Sequence, residues 1–223
     1  MASAPRNDDE PTAEVDSQMP PGVVFLLTGL ELVEIADSHA LEPEFEYDAP
    51  HDPFDDLLAA YGMPVNIILE SPINKAGRLQ AVYVNSGSSN GYYEVKGHAK
   101  VPIGPKGFQQ MWRELHQSGG VLQQGTEAVA WHENCGIPSL VEGLPANSRK
   151  IGVLSGKGRG TDLDTYILAA PSDQTLVFVV GEFANEGIEN YIDEYVEVSG
   201  YSLAPSVCVG HICCALGKKW NIC

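Results

Sequence analysis

The stretch RKIGVLSGKGRGTDLDTYILAAP, residues 149–171, decides the fold. It passes from an apolar segment, Ile151 to Leu154, into a loop in which glycine occupies every second position from Gly156 to Gly160. An apolar run followed by glycines predicts a sheet strand and a tight connection, because glycine adopts positive φ without strain. We therefore expect Leu154-Ser155-Gly156 to end a strand and residues 157–160 to lead into a second strand.

The glycine loop does not match the common nucleotide-binding motifs. The run GVLSGK is one residue shorter than Gly-x-x-x-x-Gly-Lys-Ser/Thr, and Gly158 stands where that motif has a magnesium-binding hydroxyl. The segment KIGVLSGKGRGTDL also resembles the first strand and loop of glycinamide-ribonucleotide formyltransferases. That fold needs a long parallel α/β region afterwards, and only about 60 residues follow. A nucleotide-binding loop is therefore the minor interpretation.

The periodicity of the surrounding sequence predicts helices that cover a sheet. Phe108, Met111, Trp112 and Leu115 recur at helical spacing, and NEGIENYIDEYVEV alternates apolar and acidic faces in the same way. Pro171 to Gln174 is the length of a hairpin connection. The predicted strands are 65–70, 78–85, 149–155, 164–171 and 175–183, with one or two strands in 22–36 and a further candidate at 92–97. The predicted helices are 54–63, the end of the stretch 101–120, 121–134 and 185–198. This order predicts an α+β fold with an antiparallel sheet covered by helices.

Residues 101–203 resemble the C-terminal part of class A β-lactamases and penicillin-binding proteins. VPIGPKGFQQMWREL is similar to the proline-opened helix of that family, and GLPANSRKIGVLSG to the strand that ends Lys-Ser/Thr-Gly. GRGTDLDTYILAAP resembles the Gly-Thr-x-x-Asp strand, and TLVFVVGEF the last strand. The resemblance covers about 100 of 223 residues and implies a β-lactamase-like fold.

The catalytic motifs of that family are degenerate here. Residues 1–100 contain no Ser-x-x-Lys, because Ser71 and Lys75 are one residue too far apart, and Leu154 replaces the strand-edge lysine. The run Ser88-Ser89-Asn90 is close to the Ser-x-Asn motif but is more typical of a turn. The resemblance therefore implies a non-catalytic domain for binding or scaffolding. The alternatives are an atypical serine hydrolase on peptides or amides, and a precursor whose cysteine-rich C-terminal segment is processed or crosslinked.

Acidic residues are concentrated at the start of the chain. Residues 1–60 contain 15 of the 30 acidic residues and one base, Arg6. Such a surface repels nucleic acids and anionic membranes, so we expect a protein or peptide partner and no nucleic acid. No apolar run is long enough to span a bilayer, and no signal peptide is recognisable. The chain is predicted to be cytoplasmic, or the mature form of an exported protein.

The composition divides the chain into three parts: a disordered acidic lead-in at 1–21, one α+β domain at 22–203, and a cysteine-rich tail at 204–223. Cysteines of the tail are candidates for disulfides or crosslinks: Cys208, Cys213, Cys214 and Cys223. With His211 they could also form a soft metal site, but their spacing is irregular. We therefore predict that the chain needs no metal and no cofactor.

Three further groups could carry chemistry. Ser155, Gly156, Lys157 and Arg159 are the predicted ligand-binding residues, and their two bases favour a carboxylate such as a peptide C-terminus. His132 and Cys135 could form a nucleophile–base pair if the fold brings them together. The acidic run His51 to Asp56 could bind a hard cation, although Asp55 and Asp56 also suit a helix N-terminus.

Overall fold

The computed structural model describes the greater part of the second half of the chain and selected segments of the first half. The described residues are 21–28, 53–85, 91–102, 107, 110–111, 114–115, 118, 121–122, 128–133, 135–156, 160–181 and 187–222, without the side chains of 53–61, 121–122 and 137. Of the predicted lead-in at 1–21, residues 1–20 lie outside them.

Nine strands and five α-helices are formed by these residues. The strands are β1 (Val23–Thr28), β2 (Leu79–Val84), β3 (Gly91–Val95), β4 (Val121–Leu122), β5 (Val129–Glu133), β6 (Ser148–Ser155), β7 (Thr161–Asp162), β8 (Thr175–Gly181) and β9 (Glu194–Ser199). The helices are α1 (Pro53–Glu70), α2 (Pro72–Lys75), α3 (Ile137–Glu142), α4 (Leu163–Ala169) and α5 (Pro205–Lys219), with a 3-10 helix at Ile188–Tyr191.

The strands form one mixed sheet that is mostly parallel. Its order is β4-β5-β3-β2-β1-β8-β6-β9-β7, and every neighbouring pair from β2 to β7 in this order is parallel. Only β3, β5 and β4 add antiparallel pairs at one side. The predicted α+β fold with an antiparallel, β-lactamase-like sheet is therefore wrong, and the architecture is α/β.

The central strands are buried on both faces, as parallel strands between helical layers are. Every residue of β1 is buried, and the first six residues of β8 are buried beside it. Val23, Phe25 and Leu27 face the large cluster formed with α1, α2, α4 and α5, whereas Val24 and Leu26 face smaller clusters that include residues of α3 and the 3-10 helix. The continuous apolar runs of these two strands thus reflect burial on both sides.

The predicted strand at 164–171 is a helix because its start is capped. Helix α4 begins after Asp162, whose carboxylate accepts hydrogen bonds from the backbone N–H of Thr165 at 3.0 Å and from its hydroxyl at 2.8 Å. A capping carboxylate satisfies helix N–H groups that would otherwise lack partners. The predicted hairpin at 171–174 is also wrong, since β8 pairs in parallel with both β1 and β6.

Replacing the capping residue should destabilise the domain in a pH-dependent way. The two bonds from Thr165 lower the pKa of Asp162 below its ordinary value of 3.8. A lowered pKa in the folded state stabilises the protein above the ordinary value, and that contribution is lost as the pH falls through the lowered pKa. We expect Asp162→Ala to lower the melting temperature at pH 7 and to differ less from the wild type near pH 2. Asp162→Asn keeps the acceptor, and a melting temperature as low as that of Asp162→Ala would contradict the capping role.

Three other predicted elements change type for identifiable reasons. Residues 65–70 continue α1 past Pro64, because Val65, Ile68 and Leu69 fall on one helical face and are buried in the core. Residues 121–134 contain β4 and β5 rather than a helix, and residues 185–198 contain the 3-10 helix and β9. In β9 the side chains alternate between the two faces, which the helical interpretation of the same residues overlooked.

The helix at 101–120 is only partly described. Gly107, Gln110, Met111, Glu114 and Leu115 are helical, and the Met111 and Leu115 side chains are buried, as their spacing predicts. Phe108 and Trp112 lie outside the described residues. Among the described helices none combines the length and the apolar character needed to cross a bilayer.

Candidate functional site

The parallel strands all have their carboxyl ends on the same side of the sheet. We call this side the carboxyl edge. Thr28 and Gly181 are register partners at the ends of β1 and β8, and the backbone N–H of Asn85, just after β2, donates to the Leu27 carbonyl at 2.8 Å. Strands β1 and β8 are neighbours in the sheet. The strand that follows β1 in the chain, β2, lies on the side of β1 away from β8, whereas the strand that follows β8, β9, lies on the side of β8 away from β1, beyond β6. In open α/β sheets, ligands bind outside the carboxyl ends where the strand order reverses in this way.

Two chain segments are tied together at this edge. Gly156, directly after β6, donates its backbone N–H to the Ser199 carbonyl at the end of β9, at 2.8 Å. The segment that follows β9, residues 199–203, then turns back over β6, and the backbone N–H of Leu203 donates to the Ser155 hydroxyl at 3.1 Å. We call residues 199–203 the edge loop.

Glycine is required where the edge loop crosses β6. Gly156 has φ of 77°, which side-chain-bearing residues rarely adopt. A Cβ atom there would lie 2.8 Å from the backbone nitrogen of Ser202 and 3.1 Å from its Cα. The glycine therefore allows two backbone segments to touch, which leaves backbone polar groups rather than side chains at the edge.

The end of β8 has the same character. Gly181 has φ of 128° and Gly187 has φ of 67°, so both ends of the connection from β8 to the 3-10 helix are glycines in the left-handed half of backbone space. Residues 182–186 between them lie outside the described residues. Thr28, beside Gly181, is fully buried. Backbone groups and one hydroxyl of the sheet thus surround the reversal point between β1 and β8.

Of the predicted ligand-binding residues, the structure describes two. Ser155 and Gly156 lie at this edge, and Lys157 and Arg159 lie outside the described residues, so the predicted carboxylate preference stays a prediction. Sequence reasoning missed Thr28, Gly181 and the edge loop. A shared pattern could have located the first two, because β1, β2, β6 and β8 each contain an apolar run that ends in or is followed by a small or amide residue: Thr28, Asn85, Ser155 and Gly181.

The edge also carries an exposed aromatic side chain. Tyr201, in the edge loop, is 82% exposed, although large apolar side chains are usually covered. Its backbone N–H donates to the Ser199 hydroxyl at 3.1 Å, which fixes the turn of the loop. An aromatic ring is therefore presented to solvent beside the backbone groups of this candidate site.

Three of the four cysteines predicted to lie in a tail belong to helix α5, which packs against α1, α2, α4 and β8. Cys208 and Cys213 are buried free thiols, and Cys214 is an exposed free thiol. Burial raises the pKa of Cys208, and it raises the pKa of Cys213 to about 12. Cys223 lies outside the described residues. A disulfide or crosslink that involves Cys223 stays a prediction.

Burial should make these thiols react at different rates. With iodoacetamide at pH 8, we expect Cys214 to be alkylated in the folded protein, whereas Cys208 and Cys213 react only after unfolding, since the thiolate is the nucleophile. Peptide mapping by mass spectrometry after native and denatured labelling measures this directly. Equal native labelling of Cys213 and Cys214 would show that α5 does not pack as described.

The predicted His132–Cys135 pair lies at the antiparallel side of the sheet. His132 Nε2 is 3.1 Å from a Glu94 carboxylate oxygen, and its ring stacks on Tyr92 with centroids 4.8 Å apart. The Tyr83 ring contacts Tyr92 edge to face at 5.5 Å. His132 is therefore oriented by Glu94 and Tyr92, and no hydrogen bond between it and Cys135 is present in the described part of the chain.

Ser71 and Lys75, two further candidates that the structure describes, have structural partners. Ser71 caps α2 and donates its hydroxyl to the Ile68 carbonyl at 2.6 Å, while Lys75 pairs with Glu70 at 3.0 Å. The described residues contain no group of three metal-ligating side chains. Ser88, Ser89 and Asn90, and the side chains of the acidic run at 51–56, lie outside that part of the chain.

A cleft of about 440 Å³ lies at the opposite edge of the sheet. It is bounded by the end of α1, by α2 and by residues 97–101, near the start of β2. The Asn74 side chain closes its floor by donating to the carbonyls of Leu69 and Gly97, both at 2.8 Å. This cleft provides a reference region far from the carboxyl edge.

Comparison with known proteins identifies the family. The family model described as EMG1/NEP1 methyltransferase matches residues 65–217. The ribosomal RNA small subunit methyltransferase NEP1 of Candida albicans is 27% identical over 161 residues, which are 70% of this chain and 57% of that protein. The chain thus spans little more than half the length of this relative.

A solved structure supports the fold. The crystal structure of Archaeoglobus fulgidus Nep1 bound to S-adenosylhomocysteine superposes with a TM-score of 0.60 at 16% identity, over 91% of this chain and all of the other. The β-lactamase or penicillin-binding resemblance is therefore wrong, and with it the scaffold and serine-hydrolase interpretations. The family match extends to residue 217 and includes most of α5, so it crosses into the segment predicted as a separate tail.

Proposed function

Because this chain belongs to the EMG1/NEP1 methyltransferase family, we propose that it transfers a methyl group from S-adenosylmethionine to ribosomal RNA. The observation that carries the proposal is the carboxyl edge, where Gly156, Gly181 and the edge loop surround the point at which the strand order reverses. The cofactor is assigned to this edge because α/β sheets bind ligands there. The structural neighbour, Archaeoglobus fulgidus Nep1, was crystallised with S-adenosylhomocysteine.

The residues at the edge fit such a cofactor. An adenosine group needs hydrogen-bond donors and acceptors at fixed positions, and a loop held at both ends by hydrogen bonds supplies backbone N–H and C=O groups of that kind. Two hydrogen bonds hold the edge loop. The Gly156 N–H donates to the Ser199 carbonyl, and the Leu203 N–H donates to the Ser155 hydroxyl. Gly156 leaves no side chain between the end of β6 and the edge loop.

The protein's contribution to the reaction is binding and orientation. The cofactor supplies an electrophilic methyl group on a sulfonium and leaves as S-adenosylhomocysteine. The edge loop and the end of β8 would hold the cofactor in one orientation. Once RNA is bound beside it, the two reacting groups are already positioned, which lowers the entropic cost of the reaction. Tyr201, exposed beside the edge, offers a ring on which a base of the RNA would stack.

The prediction that the chain has no nucleic-acid partner is overturned by its relationship to an rRNA methyltransferase. Net charge was a poor guide because the acidic residues are unevenly placed. Residues 61–223, which include the family match, contain 15 acidic and 12 basic side chains, so this part of the chain is nearly balanced. Contact with phosphates depends on local groups of bases rather than on the sum over the whole chain.

Calorimetric titration with S-adenosylhomocysteine tests the cofactor site. We expect saturable one-to-one binding that S-adenosylmethionine competes for and ATP does not. In NMR spectra of the labelled protein, amides of residues 155–156 and 199–203 should shift, whereas those of Asn74 and Gly97 beside the opposite cleft should not. No binding, or shifts confined to the opposite cleft, would contradict the proposal.

A further inference from the structure

We propose that Ser155 is a positioning residue for the cofactor site, because its hydroxyl holds the edge loop against the end of β6. This inference rests on the proposed function, since the position of the loop affects a cofactor only if one binds there. Ser155 itself need not touch the cofactor. It acts through Leu203, whose backbone N–H donates a hydrogen bond to the Ser155 hydroxyl at 3.1 Å.

The need for a side-chain tie arises from the sheet register. The pairing of β6 with β9 is regular up to Leu154 and Glu197 and then shifts, so that Ser155 lies opposite Ser199. Beyond this irregularity the regular ladder of backbone hydrogen bonds ends. Two hydrogen bonds continue past this point. The Gly156 N–H donates to the Ser199 carbonyl, and the Leu203 N–H donates to the Ser155 hydroxyl. One holds the start of the edge loop and the other holds its end.

The Ser155 side chain also lies beside helix α5. Its hydroxyl is close to the thiol of Cys208, which is buried on the first turn of that helix. A hydroxyl can accept the Leu203 N–H and contact the thiol at the same time. Ser155 therefore connects three elements, namely β6, the edge loop and α5, and alanine at this position would remove both contacts with little change in volume.

Ser71 provides a matched control beside the same helix, α5. It is buried at the N-cap of α2 and lies next to Cys213, which follows Cys208 by five residues on α5. It donates to the Ile68 carbonyl at 2.6 Å and caps α2, so it takes no part in holding the edge loop. Removing either hydroxyl disturbs a serine–cysteine contact under α5, but only Ser155→Ala releases the loop.

The experiment compares Ser155→Ala, Ser155→Thr and Ser71→Ala with the wild type. The loss of one well-placed hydrogen bond should raise the Kd for S-adenosylhomocysteine about tenfold in Ser155→Ala. Ser155→Thr keeps the hydroxyl and should bind within about threefold of the wild type, and Ser71→Ala should bind like the wild type even if it melts at a lower temperature. Wild-type affinity in Ser155→Ala, or equal weakening in Ser71→Ala, would overturn the inference.

Amide hydrogen exchange in the protein without ligand separates this inference from the proposed function. Ser155→Ala should speed exchange of the Leu203 amide about tenfold, because the amide loses its acceptor, and Ser71→Ala should not. If the wild type fails to bind S-adenosylhomocysteine, the proposed function is wrong, and the exchange rates still report whether Ser155 holds the loop. Unchanged exchange at Leu203 in Ser155→Ala would overturn the role of Ser155.

Discussion

Gly156→Ala should bind S-adenosylhomocysteine at least tenfold more weakly than the wild type. Alanine at φ of 77° costs about 1–2 kcal/mol of stability, and this strain is present in the free and the bound protein alike. Affinity falls tenfold if returning the displaced edge loop to its place on binding costs about 1.4 kcal/mol. The added Cβ would also lie 2.8 Å from the Ser202 nitrogen, so the edge loop must move away from β6. Calorimetric titration with S-adenosylhomocysteine measures the loss.

Gly77→Ala is the matched control for the backbone conformation. Gly77 has φ of 71°, close to that of Gly156, but no atom lies within 4 Å of the position that its Cβ would take. Both variants therefore lose stability through backbone strain, and only Gly156→Ala displaces the edge loop. Equal affinity for S-adenosylhomocysteine in the two variants would show that the close approach at Gly156 does not shape the binding site.

Phe178→Ala should lower the free energy of unfolding by about 3–5 kcal/mol, the usual cost of truncating a fully buried aromatic side chain. Phe178 lies in the middle of β8, has no exposed surface, and contacts Phe25 of β1 with ring centroids 6.0 Å apart. Because β1 and β8 are the central strands, the cavity would weaken the whole sheet. Urea denaturation followed by tryptophan fluorescence measures the change.

Tyr201→Ala is the control for this truncation. Tyr201 is 82% exposed, so its loss should change the free energy of unfolding by no more than about 0.5 kcal/mol. A Phe178→Ala variant as stable as Tyr201→Ala would show that β8 is not a central strand. Trp112, for which the helical spacing with Met111 and Leu115 predicts the same burial, lies outside the described residues, so its burial stays a prediction.

The apolar runs allowed the central strands to be recognised in the sequence, but they did not reveal strand direction. The strands at 78–85, 149–155 and 175–183 were predicted close to their observed bounds, and β1 lies within the predicted segment 22–36. The predicted antiparallel arrangement failed because residues 164–171 and 185–198 were assigned to the wrong element type. Once α4 is a helix, the connection from β6 to β8 is a crossover and the pairing becomes parallel.

Local pattern was ambiguous for these segments. DTYILAAP is apolar and β-branched in part, and the helix is decided by the cap that Asp162 forms with Thr165. When EYVEVS is joined to NEGIENYID, the apolar residues recur at helical spacing. Taken alone, EYVEVS alternates polar and apolar residues, which suits a strand, and it forms one between β6 and β7. In both segments tertiary context decided between two patterns that the sequence supports about equally.

The site was only partly accessible from sequence. Ser155 and Gly156 were singled out for their position after an apolar run, and the structure places them at the carboxyl edge. Gly181 and the edge loop are far from them in sequence, and the parallel order of β8, β6 and β9 brings all three together. The conclusion that the chain avoids nucleic acid failed for another reason, since net charge describes the whole chain and not a binding surface.

The central claim is that the chain methylates ribosomal RNA, and transfer of a labelled methyl group tests it most directly. The protein is incubated with S-adenosylmethionine labelled in the methyl group and with small-subunit ribosomal RNA, and radioactivity in the purified RNA is counted. The account predicts label in the RNA with the wild type, and much less with Gly156→Ala under the same conditions. No label in the RNA with wild-type protein that binds S-adenosylhomocysteine would contradict the claim.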